Sequence, residues 1–405
     1  MKLIPLASAL TVLASALFAL PMGARAEAEK DKDKDGFSPL FNGKDLSGWV
    51  PCNVAQDTFR WEEGMVITTG EPTGFMRSAK VYENFIVELE WRHLKEAGNS
   101  GLFIWGEGLP APGVPYARGI EVQILDLGYE KNKGANEWFT SHGDIFPIWG
   151  ATMTPTGRVA KTGKRSFPTE NRVKPSPEWN HYRVECRDGE IHLSVNGKEV
   201  TVGKDCVPRK GYICLESEGS EAHFRNVRIK ELPSSNATPE QTARLYEGFQ
   251  QLFDGKALGG WKVSDEVKSF WSANGATFKA KADPAAAGKT LWTEKAYGDF
   301  VLCVDWKAPK DPAVAAAAAA TFGVAVRGSE KALSAEVLAK LQAEVKPGIW
   351  NRYFLMLKED RLSVELNDKG VIENVTLTEV PAKGPVGLLH TGAAAEYSNL
   401  FIKDL

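Results

Sequence analysis

Gly119-Ile-Glu-Val-Gln-Ile-Leu-Asp126 alternates with a period of two. Ile120, Val122 and Ile124 share one face, and Glu121, Gln123 and Leu125 share the other, which is the pattern of a β-strand with one side in a core. The polar side sets an acid and an amide one pleat apart, about 7 Å along the strand. Thr, Lys or Ser is the commoner choice on a solvated strand face. Glu-x-Gln therefore reads as the floor of a groove that holds sugar hydroxyls or transfers a proton, with an ordinary solvated face as the competing reading.

The flanking chain shows what this strand belongs to. Phe37-Ser-Pro-Leu-Phe-Asn-Gly-Lys-Asp-Leu-Ser-Gly-Trp49 recurs as Phe249-Gln-Gln-Leu-Phe-Asp-Gly-Lys-Ala-Leu-Gly-Gly-Trp261, an internal duplication. The ends of the two copies match as well: Trp179-Asn-His-Tyr182 with Trp350-Asn-Arg-Tyr353, and Phe224-Arg-Asn-Val-Arg-Ile229 with Tyr397-Ser-Asn-Leu-Phe-Ile402. Between these anchors run short alternating segments joined by Gly, Asn and Asp turns, including Asp188-Gly189 and Asn196-Gly197. Helical periodicity is almost absent. The fold class is all-β, with two tandem β-sandwich (jelly-roll) domains.

Domain limits follow from composition. Pro233-Ser-Ser-Asn-Ala-Thr-Pro-Glu240 is a polar, Pro-bearing linker, and Glu240 to Glu247 reads as a short helix. The domains fall at 36–232 and 247–405, with 233–246 between them. The copies differ in one place. After Asn99-Ser-Gly-Leu-Phe-Ile-Trp-Gly106 the first carries the Glu121 strand and a long irregular insertion before Trp179. After Thr321-Phe-Gly-Val-Ala-Val-Arg-Gly328 the second runs almost directly to Trp350, through an Ala/Leu-rich segment that reads as a helix within 329–345, and it also holds the low-complexity run Ala315–Ala320. Long insertions confined to one copy usually carry function, so the site belongs to the first half.

A chain of 405 residues that is 43% hydrophobic can fill two cores, and a net charge of −3 gives no basic surface for nucleic acid. Lys2, the apolar stretch Leu3–Leu20 and Ala24-Arg-Ala26 form a signal peptide (1–26) with cleavage after Ala26, so a periplasmic or secreted protein without a membrane anchor is expected. Residues 27–35 form a charged, flexible leader. Its Asp31-x-Asp33-x-Asp35-Gly36 run lacks the Glu that would complete a calcium loop. Five cysteines without CxxC spacing argue against a zinc or redox site. Cys186 and Cys214 read as buried thiols, and Cys206 is the one most open to a disulfide.

Leu40-Phe-Asn-Gly-Lys-Asp-Leu-Ser-Gly-Trp49, Asn99-Ser-Gly-Leu-Phe103, Gly119–Asp126, Glu178-Trp-Asn180 and Phe224–Ile229 together resemble the signatures of the 3-keto-disaccharide hydrolase domain family. The resemblance spans nearly all of the first half and only the two ends of the second, which reads as a degenerate copy. It implies a concanavalin A-like lectin/glucanase sandwich and cleavage of glycosides whose sugar is oxidised at C3. Relatives often place Arg where this chain has Trp105; the second copy keeps Arg327 there. If that Arg binds substrate, Trp105 alters specificity.

Glu121 is the lead catalytic carboxylate and Gln123 its hydrogen-bonding neighbour. A 3-keto sugar has an acidic proton at C2. Its removal drives elimination of the C1 substituent, and hydration of the enone completes a net hydrolysis. Ser141-His142-Gly143-Asp144 supplies His142 as a proton shuttle and Asp144 as an acid. Pairing of Glu121 with Asp126 or Asp144 would instead support ordinary glycoside hydrolysis. Substrate binding is expected from Gln123, Asn99 and Asp126, and from the faces of Trp105, Trp138 and Trp149. The other tryptophans read as core, and Lys161–Arg165 as a solvated loop. No cofactor is expected; the one conceivable arrangement for a divalent metal is His142, Asp144 and Glu121, which no spacing rule demands. The partner is a small glycoside or oligosaccharide, and oligomeric state is left open. A noncatalytic carbohydrate-binding protein is the alternative function.

Overall fold

The computed structural model describes residues 32–405 apart from 257, 314, 316–322 and 331–332. The expected signal peptide, the start of the expected leader and most of the Ala315–Ala320 run lie outside the described residues. Two compact units are present, one ending at Glu247 and the other spanning Gly248–Leu405.

The first unit is a sandwich of a nine-stranded and an eight-stranded antiparallel sheet. The eight-stranded sheet has the order Arg158–Val159, Ser166–Phe167, Ile145–Ile148, Gly119–Leu125, Asn99–Gly106, Tyr212–Ser217, Gly74–Ser78, Trp49–Cys52. Ile120, Val122 and Ile124 pack into one core with Leu102, Ile104 and Leu215 of this sheet, and with Val87, Leu89, Val184 and Leu193 of the other. All seven residues of this strand are buried, so both of its faces are covered; the alternation separates the core-packed Ile120, Val122 and Ile124 from the side that carries Glu121 and Gln123. The nine-stranded sheet contains the two expected hairpins. Asp188-Gly189 and Asn196-Gly197 all take positive φ, the geometry of a tight turn whose twist suits the flanking strands. Tyr182 of that sheet crosses the core and donates its hydroxyl to the Gln123 carbonyl at 2.9 Å.

The second unit repeats the plan in shorter form. Its smaller sheet has the order Trp261–Lys262, Leu291–Tyr297, Gly384–Leu388, Val324–Ala325. Val324–Ala325 corresponds to the Asn99–Gly106 strand, and among the described residues no strand continues the sheet beyond it. The Glu121 strand has no counterpart there. Between Arg327 and Trp350 stands the helix Ala335–Glu344, started by Ser334, whose Oγ accepts from the Val337 amide.

Two local expectations are corrected, the flexibility of the leader's end and the short helix after Glu240. The end of the leader is pinned: Asp33 accepts the amides of Asp35 and Phe37 at 2.9 Å and pairs with Arg228 at 2.7 Å. The polar stretch after Leu232 is docked on the first unit, with the Glu83 carboxylate accepting from Ser234, Ser235 and Ala237 and Tyr212 donating to the Leu245 carbonyl. Within Glu240–Glu247 there is no helix, only a 3-10 turn at Pro239–Gln241. All five cysteines are buried free thiols.

Candidate active site

Three adjacent strands build the site. Gln123 pairs with Gly101 and Glu121 with Phe103 across one ladder; Leu215 pairs with Leu102 across the next, so Glu216 falls beside Gly101 on its other side. A Cβ at Gly101 would lie 2.8 Å from Glu216 Oε2 and 2.9 Å from Glu121 Oε1, so the two oxygens are less than 6 Å apart. That is closer than the roughly 6.5–9.5 Å that inverting glycosidases leave between their carboxyls for a water. Glycine is needed here for space, not for its backbone freedom.

The electrostatics follow from burial. Glu121 is 7% exposed, and its carboxyl makes no hydrogen bond with any described residue. Burial pushes it up to about 8; Arg165 opposes that rise, and Glu218 and Asp144 add to it. Glu216 is pushed well above the usual carboxylate range, first by burial and then by Glu121 and Glu218. One of its oxygens bonds Glu218, and its Oε2 is buried without a partner. Glu218 is less buried and accepts from the Tyr116 hydroxyl at 2.9 Å and from the Asn99 amide. Burial raises it, and those three hydrogen bonds hold it down. The hydrogen bond between them raises Glu216 and lowers Glu218, which favours the proton of the pair on Glu216.

Beside this cluster, Gln123 donates to Asn99 Oδ1 at 3.0 Å. Arg165 lies over the Phe146 ring at 3.5 Å, reaching Asp144 at 3.2 Å and Gln123 Oε1 at 3.4 Å. Asp144 is fully buried; its two oxygens accept the Thr140 amide and hydroxyl besides Arg165. Burial raises it to about 6, with Arg165 and Thr140 opposing.

Residues 36–230 and, separately, 248–403 match the sequence model of the 3-keto-alpha-glucoside-1,2-lyase-like domain. The chain belongs to that family. A Bacteroides thetaiotaomicron protein named 3-keto-disaccharide hydrolase is 20% identical over 254 residues, covering 49% of this chain and 79% of that protein. Among solved structures, a Parabacteroides distasonis protein assigned as a glycosyl hydrolase is 23% identical (TM-score 0.36), covering 53% of this chain and 99% of its own. The Bacillus licheniformis β-glucanase is 15% identical (TM-score 0.32), covering 48% and 97%. The fold of the first unit is a two-sheet antiparallel β-sandwich.

Several expected site residues of this 3-keto-glucoside lyase-like chain serve other ends. Trp105 is fully buried in the core and donates its indole N–H to the Glu83 carbonyl at 2.8 Å, so it offers no face to a sugar. In the second unit Arg327 donates Nε to the carbonyl of Gly298, the residue equivalent to Glu83. It also bonds Glu359, Pro381 and Asp299. Trp105 and Arg327 are thus alternative struts at one backbone position, both with positive φ, and the exchange says nothing about substrate. Asp126 binds protein: its carboxylate accepts the amides of Ala97, Gly128 and Ser176, so it fixes three loop segments. Asp144, fully buried and bonded to Thr140 and Arg165, positions Arg165.

His142 pairs through Nε2 with Glu130 at 3.1 Å, and its Nδ1 is buried without a partner. Burial lowers its pKa, with the Glu130 carboxylate opposing. Its side chain forms no hydrogen bond or ion pair with Glu121 or Asp144 among the described residues; its partner is Glu130. Nor do His142, Asp144 and Glu121 converge: among the described residues no group of three His, Cys, Asp or Glu could hold a metal ion. Trp138 and Trp149 are exposed, and Trp149 stacks on Tyr116. A cavity of about 430 Å³ lies on the nine-stranded sheet around Glu88 and Arg228. Its Glu88 is already paired with Arg183 and Arg228.

Sequence reading missed Glu216, Glu218, Tyr116 and Arg165. Leu215-Glu216-Ser217-Glu218 carries the same alternating acid pattern as the Glu121 strand, a usable signal in hindsight. Arg165, read as solvated, has a side chain only 17% exposed.

Proposed function

We propose that the first unit cleaves 3-keto-glycosides by elimination across C1 and C2 followed by addition of water. The observation that carries this is the juxtaposition at Gly101 of an unbonded, buried carboxyl, Glu121, with Glu216, whose Oε2 is buried without a partner and whose other oxygen bonds Glu218. A ketone at C3 acidifies the C2 proton. Glu121, in its ionised form, takes that proton, and the C–H electron pair becomes the enolate of C2 and C3. Collapse of the enolate forms the C1–C2 double bond and expels the C1 oxygen, which receives a proton from Glu216. Water then adds at C1, C2 regains a proton, and the products are the free 3-keto sugar and the released alcohol. A base with a pKa near 8 is stronger than an ordinary carboxylate yet still ionisable near neutrality, where general-base catalysis is most effective. Arg165, the cation that lowers Glu121, supplies positive charge for the enolate. The family is described as a 1,2-lyase and the Bacteroides relative as a hydrolase; elimination followed by hydration accommodates both. The Met1–Ala26 pattern supports action in the periplasm or outside the cell.

The test is turnover of a 3-keto-disaccharide in D2O by the wild type and by Glu121→Gln. The expected result is deuterium at C2 of the product beyond that of an enzyme-free control, a rate that rises with pH toward about 8 as Glu121 ionises, and a fall of about 10³-fold in the variant. Turnover without C2 deuterium would exclude the elimination, and tight binding with no turnover in either protein would favour a lectin.

A further inference from the structure

Trp149 is a large apolar side chain that the fold leaves 50% exposed. Its backbone is held at φ +50°, a conformation that costs a bulky residue free energy and that persists where the surroundings enforce it. One face of its indole lies parallel to Tyr116, with ring centroids 5.9 Å apart and planes 6° from parallel. The Tyr116 hydroxyl donates to Glu218 of the carboxylate cluster at 2.9 Å. The platform is therefore one ring removed from the carboxyl couple. Beside it, a Cβ at Gly150 would lie 3.6 Å from Arg118 Nε, and Arg118 pairs with Glu107 at 3.1 Å. A flat aromatic face next to an ion pair that can bind hydroxyls suits a sugar ring, whose C–H face stacks while its edge hydrogen-bonds.

We infer that Tyr116 and Trp149 form the subsite for the group attached at C1, and that these two side chains set the preference for a ring there over a small substituent. The inference rests on the proposed function for the placement of the keto sugar over Gly101; the leaving ring then extends past Tyr116 onto Trp149. The enzyme is in this way selective for disaccharides over glycosides with a small C1 substituent.

The test compares a 3-keto-disaccharide with methyl 3-keto-glucoside on the wild type, Trp149→Ala and Trp149→Phe. In Trp149→Ala the ratio of the two KM values (disaccharide over methyl glycoside) is expected to rise about tenfold, with Trp149→Phe restoring most of the difference. An unchanged ratio overturns the subsite. Calorimetric titration of the disaccharide into Glu121→Gln and Glu121→Gln/Trp149→Ala gives a readout free of turnover. Affinity about tenfold weaker in the double variant supports the subsite even if the wild type proves inactive, which would sink the elimination alone. Equal affinity overturns it whatever the activity.

Discussion

Glu121 and Glu216 converge on the space that a side chain at Gly101 would fill, one oxygen of each within 3 Å of it. The atoms a methyl would meet first are ends of flexible side chains, so Gly101→Ala is expected to leave stability within about 1 kcal/mol of wild type while displacing both carboxyls. A displacement of about an ångström at reacting groups costs on the order of 10²-fold in rate. Urea unfolding and turnover of the same preparation separate the two effects; parallel loss of both would contradict the account.

Glu121 links the site to pH-dependent stability. Its pKa rises from 4.5 in the unfolded chain to about 8 in the folded protein, so the native state holds a proton that the unfolded state has released. Stability is thus fully present below pH 4.5 and declines as pH rises through the folded value. Asp144, raised from 3.8 to about 6, contributes in the same direction over a lower window. Glu121→Gln removes the larger contribution. The expected outcome is a Tm difference, variant minus wild type, that grows between pH 5 and pH 8. A difference independent of pH would show that Glu121 is not held protonated.

Asp144 acts through its neighbours. Asp144→Ala leaves the Thr140 amide and Arg165 without their shared acceptor, an expected loss of about 2 kcal/mol because Arg165 retains some access to water. Asp144→Asn keeps an acceptor for Thr140 but not the charge beside Arg165. It should lose less stability, with kcat reduced and KM for the methyl glycoside nearly unchanged. Chemical denaturation and steady-state kinetics of the pair check this.

The Trp105 strut predicts a coupling that no sequence position reveals alone. Arg327 works in the second unit because Asp299 faces it at 2.7 Å; the first unit has Asn84 at the equivalent site, accepting the Asp188 amide as Asp299 accepts that of Glu359. Trp105→Arg would bury an unpaired cation, with an expected cost of about 3 kcal/mol. Adding Asn84→Asp is expected to recover about 1–2 kcal/mol, measured as the interaction energy of a double-mutant cycle. Strict additivity would refute the shared-strut reading.

The sequence by itself determined the all-β class, the duplication, the tight turns and the inward face Ile120–Val122–Ile124. Those features are local or periodic: alternation fixes a strand's buried side, and turn residues fix hairpins, without reference to distant chain. Glu121 was legible for the same reason, as an acid on the polar side of a strand with a buried face.

Only the tertiary structure decided the company Glu121 keeps. Glu216 and Glu218 lie nearly a hundred residues downstream; sheet register brings Glu216 to Gly101, and Glu218 meets Asn99 and Tyr116. His142 and Asp144 looked available because loop composition shows which groups exist, not which atoms are already bonded; Glu130, Thr140 and Arg165 settle that. Trp105 looked like a platform because a tryptophan's two uses, core and sugar stacking, differ only in which way a strand turns it. Hydrogen-bond partners and desolvation are properties of neighbours, and neighbours across a sheet are set by the fold.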